Sequence, residues 1–315
     1  MANEETFRQD ILVALSEFDE ESKLISKEAV NELRSNWETP SVIYHYTNDL
    51  GLRGILETGK FWLTDIFKLN DPSELEHGIS HLIEALKANS DSLGKNLSEH
   101  VEAFRSRGLT KSARYFVCAF SSDGNELGQW RAYADNGRGF SLGFDRNALE
   151  DTFMNDKTSE QENATFPVTY DDGYLFKKHE ELVERLFLKI HWHSMKVLNR
   201  DDFVNKLLFP LILRSLYLTL HFKHEAYKNE QEYRFLQVFA ADASPPEVKS
   251  RSRHYSLVEY REFDWRTVAA KALQKIWIGP AADKPKAFQF ARDCLKEFNI
   301  DSVELMQSKI PYRAS

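Results

Sequence analysis

The stretch VIYHYTN, residues 42–48, carries the strongest signal for the fold. Its β-branched and aromatic residues favour a strand. Asn48, followed by DLGLRGILETG, predicts a helix that begins at an asparagine cap and stops at Gly59. Because side chains alternate along a strand, His45 and Thr47 share one face and Tyr46 points to the other. A histidine at this place is either a structural residue with its hydrogen bonds satisfied or a group that holds a ligand.

Composition limits the class of protein. With 315 residues, 42% of them hydrophobic, the chain is long enough for a sizeable core. A net charge of −8 argues against a general affinity for nucleic acid backbones. We expect a protein of the reducing cytoplasm with no membrane attachment, because no secretory signal or spanning segment is visible and Cys118 and Cys294 belong to no paired motif.

Strand and helix patterns are mixed along the whole chain. Residues 1–40 show helical spacing and predict an N-terminal helical extension. From residue 41 to 315, strands such as FWLT, RYFVCAFS, GFSLGF and QKIWIG are interleaved with helices and no linker is apparent. The pattern predicts the α+β class with one mixed domain over residues 41–315.

Two loop motifs are candidates for ligand contacts. In LNDPSE, residues 69–74, Asn70 and Asp71 precede a proline and predict a turn that starts a helix. The functional alternative for this turn is one wall of a sugar-binding site. In DNGRG, residues 135–139, the glycines around Arg138 allow a ligand or another chain segment to approach closely. Between them, Trp130 and Tyr133 have the spacing of a core-facing helix.

Charged residues alternate in NEQEYRF, residues 229–235. If QEYRF forms a strand, Glu230, Glu232 and Arg234 lie on one face. Such a face is either an exposed surface with an ion pair or a carboxylate aimed at a developing positive charge and steadied by arginine.

The sequence contains no recognised signature for metal or nucleotide binding. Histidines stand at helical spacing beside glutamates in two places, Glu74 with His77 and His81, and His221 with His224 and Glu225. Neither set fits a zinc signature, so we predict no metal. No Walker loop, nucleophile elbow or dinucleotide-binding glycine motif is found, which excludes those enzyme classes.

Taken in order, the motifs resemble the bacterial family catalogued as domain of unknown function 2971. The resemblance rests on YHYT, GILETGKFWLT, LNDPSE, the FSS to WRAYADNGRGFSLGF region, NEQEYRF, IWIGP and SKIPYR, and it covers about residues 42–313. The family pattern is in turn similar to that of ADP-ribosyltransferases. Both have histidine and threonine on an early strand, an aromatic residue in the middle and glutamate on a late strand.

This resemblance implies a split, mainly antiparallel sheet and NAD as the substrate. It implies Glu232 as the catalytic carboxylate, with Glu230 as its rival, and stacking of nicotinamide on an aromatic ring such as Tyr133 or Trp62. The residues implied in NAD binding are His45, Tyr46, Thr47, Asn70, Trp130, Tyr133, Arg138 and Arg234. The implied activity is modification of a macromolecule, protein or nucleic acid, as in toxins or anti-phage defence effectors.

Two other functions compete with a transferase. The same residues would also suit a non-catalytic module that binds a nucleotide or a partner. A nucleic-acid hydrolase would need Asp71, Glu74 and Glu232 to meet around metal ions. The transferase hypothesis requires His45 and Glu232 to line one cleft on neighbouring strands, whereas the oligomeric state is left open by the sequence.

Overall fold

A computed structural model describes most of the chain. The described residues are 2–38, 40–68, 73–89, 92–106, 113–156, 161–190, 201–240, 245, 247–253, 255–267, 269 and 271–313. The helices are α1 (Ala2–Asn36), α2 (Asp49–Thr58), α3 (Ser73–Ala88), α4 (Ser92–Ser106), α5 (Leu127–Tyr133), α6 (Arg146–Asn155), α7 (Asp172–Ile190), α8 (Asp201–Thr219) and α9 (Lys284–Glu297).

Within these described residues, ten strands form one sheet. They are β1 (Val42–Thr47), β2 (Lys60–Asp65), β3 (Ala113–Ser121), β4 (Phe140–Asp145), β5 (Gln161–Pro167), β6 (Glu232–Ala240), β7 (Lys249–Arg253), β8 (Ser256–Asp264), β9 (Leu273–Ile278) and β10 (Glu304–Gln307). The main order is β10-β9-β4-β1-β3-β2-β8-β7, and β6 joins β3 to β5. The α+β class and the mostly antiparallel open sheet are thus confirmed; the β9–β10 pair is parallel.

Strand β3 is the branch point of the sheet. Near its end, Ser121 pairs with Tyr44 of β1. Further back along β3, Phe116 and Val117 pair with Asp65 and Thr64 of β2. Because β1 and β2 each run antiparallel to a different part of β3, the β1 and β2 branches diverge from it.

The chain divides into two compact units, each built from three stretches. The helical unit comprises Met1–Trp37, Asn70–Arg114 and Val168–Glu225, and contains α1, α3, α4, α7 and α8. The sheet unit comprises Glu38–Leu69, Tyr115–Pro167 and Ala226–Ser315. The proposed division into an extension of residues 1–40 and a domain of residues 41–315 stays a prediction.

Local signals placed the first helix of the sheet unit correctly. The Asn48 side chain accepts a hydrogen bond from the Gly51 amide at 2.8 Å, so Asn48 caps α2 as predicted. Gly59 ends the helix with a φ of 66°, the left-handed conformation that glycine adopts without a steric cost.

Both cysteines are free and buried. Among the described residues, no helix has the length and apolar character needed to cross a bilayer.

Candidate functional site

The His45 ring occupies the gap where β1 and β2 diverge. Its Nδ1 lies 3.2 Å from the carbonyl oxygen of Ala119, which sits on β3 between the residues paired to β1 and to β2. Because a carbonyl oxygen only accepts, Nδ1 carries the proton and donates it. The imidazole thus donates to a carbonyl oxygen of β3 at the branch, at a residue that is paired with neither β1 nor β2.

Aromatic rings surround His45 and keep it neutral. Its centroid is 5.3 Å from that of Phe61 and 5.6 Å from that of Phe120, both in edge contacts. This burial lowers the pKa of His45, against the opposing effect of its hydrogen bond to Ala119. A neutral imidazole in this position fits the structural alternative considered for the motif.

Tyr46 and Trp130 hold α5 against the opposite face of β1. The Tyr46 hydroxyl donates to the carbonyl oxygen of Asp123 at 2.8 Å and accepts from the Glu126 amide at 2.9 Å. Its ring meets the buried Trp130 ring edge-on at 5.0 Å, and Trp130 Nε1 donates to Asn125 at 3.0 Å. Burial raises the pKa of Tyr46, so it stays a neutral phenol that fixes the helix start.

The backbone of Thr47 lies against the backbone of the DNGRG turn. A Cβ added at Gly139 would lie 2.2 Å from the Thr47 carbonyl oxygen, and Gly137 has a φ of +84°. The close approach of the Thr47 backbone therefore explains Gly139, and the left-handed backbone conformation explains Gly137. Arg138 lies exposed on this turn, with Nη1 3.9 Å from Asp135, and its contact with a pyrophosphate stays a prediction.

Two serines tie the end of β3 to the turn that precedes β6. Ser121 Oγ donates to the Glu230 carbonyl oxygen at 2.7 Å, and the Ser122 amide donates to the Gln231 carbonyl oxygen at 3.0 Å. Gln231 has a φ of +43°, so the chain turns sharply between the two glutamates. Neither serine was among the residues predicted to be functional; the signal that could have found them is a pair of hydroxyl residues at a strand end.

The two candidate glutamates have different surroundings. Glu230 ends a short 3₁₀ helix, Glu225–Glu230, and does not extend the strand face as the alternation predicted. Its Oε1 accepts a hydrogen bond from the Tyr133 hydroxyl at 3.1 Å, and the Tyr133 ring is 39% exposed. This pair places a carboxylate beside an aromatic ring at an accessible end of the sheet.

Glu232 begins β6 and forms a buried ion pair. Arg234 Nε donates to Glu232 Oε1 at 2.7 Å and Nη2 donates to Oε2 at 3.2 Å. Both side chains are buried, so the alternative of an exposed ion pair is wrong for these two residues.

Strand alternation separates His45 from Glu232. Phe235 contacts the Phe120 ring at 5.0 Å and belongs to the phenylalanine face of the sheet, defined by His45, Phe61, Phe120 and Phe235. Glu232, three residues before Phe235, points to the other side. That side is the tyrosine face, defined by Tyr44, Tyr46 and Ser121. Their side chains therefore do not meet the requirement that His45 and Glu232 line one cleft, and the transferase hypothesis in the form that pairs these two residues is wrong. A transferase would need a different arrangement, with Glu230 as the carboxylate beside Tyr133.

Trp62 is a second exposed aromatic residue of the sheet unit. Its ring is 44% exposed, lies 4.6 Å from that of Tyr260 and carries the Arg251 guanidinium 5.0 Å from its centroid. Trp62 therefore remains a candidate for stacking, although Tyr133 alone of the two predicted rings contacts a candidate glutamate. Asn70 and Asp71 lie outside the described residues.

One comparison with known proteins gives a match. Residues 129–235 match the model of the family described as Protein of unknown function (DUF2971), whereas YHYT, LNDPSE and IWIGP lie outside the matched residues. No curated protein and no solved structure matches the chain. The segment that holds Trp130, Tyr133, Glu230 and Glu232 is thus similar to the DUF2971 family of proteins of unknown function.

Proposed function

We propose that the chain binds NAD and cleaves its bond between nicotinamide and ribose, as ADP-ribosyltransferases do. The observation that carries the proposal is the contact between Tyr133 and Glu230 at the end of the sheet. An exposed ring suits stacking against nicotinamide, and an adjacent carboxylate suits a sugar that develops positive charge.

The chemistry needs no metal ion. The bond from ribose C1′ to the nicotinamide nitrogen breaks, both electrons go to the nitrogen and nicotinamide leaves as a neutral molecule. Glu230 stabilises the oxocarbenium-like sugar electrostatically. An oxygen or nitrogen of the acceptor then bonds to C1′ and loses its proton, which the carboxylate accepts. With a macromolecule as acceptor the result is transfer; with water it is hydrolysis.

The proposal assigns different roles to the other predicted residues. His45 becomes a positioning residue that holds β3 through Ala119, and Tyr46 and Trp130 position α5, which carries Tyr133. Glu232 stays the rival carboxylate, with Arg234 as its partner. Roles for Thr47, Asn70 and Arg138 in holding the ribose and the pyrophosphate remain part of the proposal.

A second function is favoured by one specific observation. His45 and Glu232, two of the groups expected to act on NAD, already have partners inside the sheet unit. This supports a module that binds a nucleotide or a macromolecular partner without catalysis. In either case we propose a cytoplasmic protein, with its two free cysteines in a reducing compartment.

The test measures NAD binding by calorimetry and nicotinamide release by chromatography on the same samples. We expect Glu230→Gln to retain NAD binding and to lose release by about a hundred- to thousandfold, the usual effect of removing one charge-stabilising group. Glu225→Gln, which removes an exposed carboxylate from the same 3₁₀ helix, should leave both unchanged.

Other outcomes distinguish the candidates. Loss of release in Glu232→Gln but not in Glu230→Gln would move the catalytic role to Glu232. Binding without release in the wild type would favour the binding module. If a folded wild-type protein neither binds nor consumes NAD, the transferase proposal is wrong.

A further inference from the structure

Three potential metal ligands converge in the helical unit, apart from the residues assigned to NAD. His77 and His81 are four residues apart on α3 and so share a face of that helix. Asp172 is the first residue of α7. One nitrogen from each ring and one oxygen of the carboxylate lie within 4.8 Å of one another.

The distances are close to those of a metal site. Asp172 Oδ1 lies 2.6 Å from His77 Nε2 and 3.5 Å from His81 Nε2. Ligand atoms around a tetrahedral zinc ion are separated by about 3.3 Å, given bonds of about 2.0 Å. Both observed separations are within about 1 Å of that value, so small side-chain movements would admit an ion.

The surroundings orient the two imidazoles. The His77 ring stacks on Phe222 at 5.4 Å, and the His81 ring meets Phe176 edge-on at 5.5 Å. Within the described part of the chain, the buried Nδ1 of His81 has no hydrogen-bond partner, and its Nε2 points to Asp172. The neighbouring His179 is different, because it bonds Leu175 and Ser215 through both nitrogens.

Solvent reaches the cluster from one side. Asp172 is 57% exposed and His77 is 40% exposed, whereas His81 is buried at 9%. Three protein ligands with an open side leave room for water as a fourth ligand.

We propose that His77, His81 and Asp172 bind a divalent transition-metal ion, with Zn²⁺ as the probe of choice. Two imidazoles and one carboxylate are donors that suit Zn²⁺, Co²⁺ and Fe²⁺ better than Ca²⁺ or Mg²⁺. The ion would connect α3 to α7 inside the helical unit. No metal was predicted from the sequence, because Glu74, His77 and His81 fit no zinc signature and Asp172 lies 91 residues beyond His81 in the chain.

The experiment titrates metal-free, full-length protein with Zn²⁺ by calorimetry and measures bound metal after dialysis. We expect one ion per chain for the wild type. Asp172→Asn, an exposed and conservative change, should weaken Zn²⁺ binding at least tenfold. The double variant His77→Ala/His81→Ala should abolish it. Asp171→Asn is the matched control, because it changes the adjacent exposed carboxylate and can retain its hydrogen bond from the Tyr174 amide.

Two further measurements address folding and geometry. Zn²⁺ should raise the melting temperature of the wild type and of Asp171→Asn but not that of Asp172→Asn, since an ion stabilises only the form that binds it. Bound Co²⁺ should show ligand-field absorption that Asp172→Asn alters. Absence of bound Zn²⁺ in the wild type, or equal affinities of the two aspartate variants, would overturn the proposal and leave a His–Asp ion pair.

Discussion

The imidazole of His45 donates a hydrogen bond to the carbonyl oxygen of Ala119 at the point where the sheet branches. Strands β1 and β2 pair with β3 on either side of that carbonyl and leave it to the side chain. A histidine that looks like a ligand-binding residue in the sequence is thus part of the sheet itself.

Replacing His45 tests this structural role. His45→Ala removes the donor to Ala119 and the ring that packs against Phe61 and Phe120. We expect the free energy of unfolding in urea to fall by about 1–3 kcal/mol, the combined cost of a lost hydrogen bond and of the space left by a half-buried ring. His100→Ala removes a half-buried ring whose Nδ1 lies 2.8 Å from the Asn96 carbonyl oxygen of the same helix, and it should cost less because no second element depends on that bond. Equal losses would contradict the role.

The lowered pKa of His45 predicts a pH dependence of stability. The unfolded chain protonates this ring near its ordinary pKa of about 6.5, whereas the folded protein does so only at lower pH. The unfolded state therefore binds more protons in this window, and stability falls as the pH falls below about 6.5. The free-energy difference between wild type and His45→Ala, measured from pH 7.5 to 5, should shrink; a constant difference would contradict burial of a neutral ring.

Two glycines form a matched pair for a test of close packing. Gly139→Ala would place a methyl group 2.2 Å from the Thr47 carbonyl oxygen, and we expect a loss of about 2 kcal/mol or more because the backbone must shift. Gly54→Ala meets no atom within 4 Å inside α2 and should stabilise the protein by about 0.5–1 kcal/mol. Thermal unfolding of both variants gives the sign of each change.

The buried Glu232–Arg234 pair should be costly to break from one side. Arg234→Met leaves the Glu232 carboxylate buried without this cation, and we expect a loss of about 3–5 kcal/mol in the free energy of unfolding. Arg53→Met removes an exposed pair with Glu297 and should change stability much less, because water screens exposed charges. Similar effects for the two variants would show that the first pair is not buried in solution.

Local sequence signals predicted the elements that depend on nearest neighbours. Strand β1, the Asn48 cap and the Gly59 stop follow from the properties of a few adjacent residues, and the structure has all three. The Glu232–Arg234 pair also followed from alternation along one strand. What alternation could not predict was the turn at Gln231, whose positive φ takes Glu230 out of the strand.

Relationships between distant segments were beyond the sequence alone. Nothing near His45 indicates that Ala119 lies beside it, because strand order is set by tertiary packing. In the same way, His77 and His81 have helical spacing, but Asp172 joins them only through the packing of α3 on α7. The sequence motifs were enough to name the candidate residues. Only the strand register shows which of them lie on the phenylalanine face and which on the tyrosine face.

The pairing of β5 with β6 has a consequence for the modular organisation of the chain. These two strands, the arms of one antiparallel ladder, pair along their length, and the last pair is Pro167 with Tyr233. The stretch Val168–Glu225 of the helical unit lies entirely within the connection between the arms. It therefore leaves and rejoins the sheet at neighbouring points, as an inserted module does, and its length could vary among relatives without disturbing the ladder.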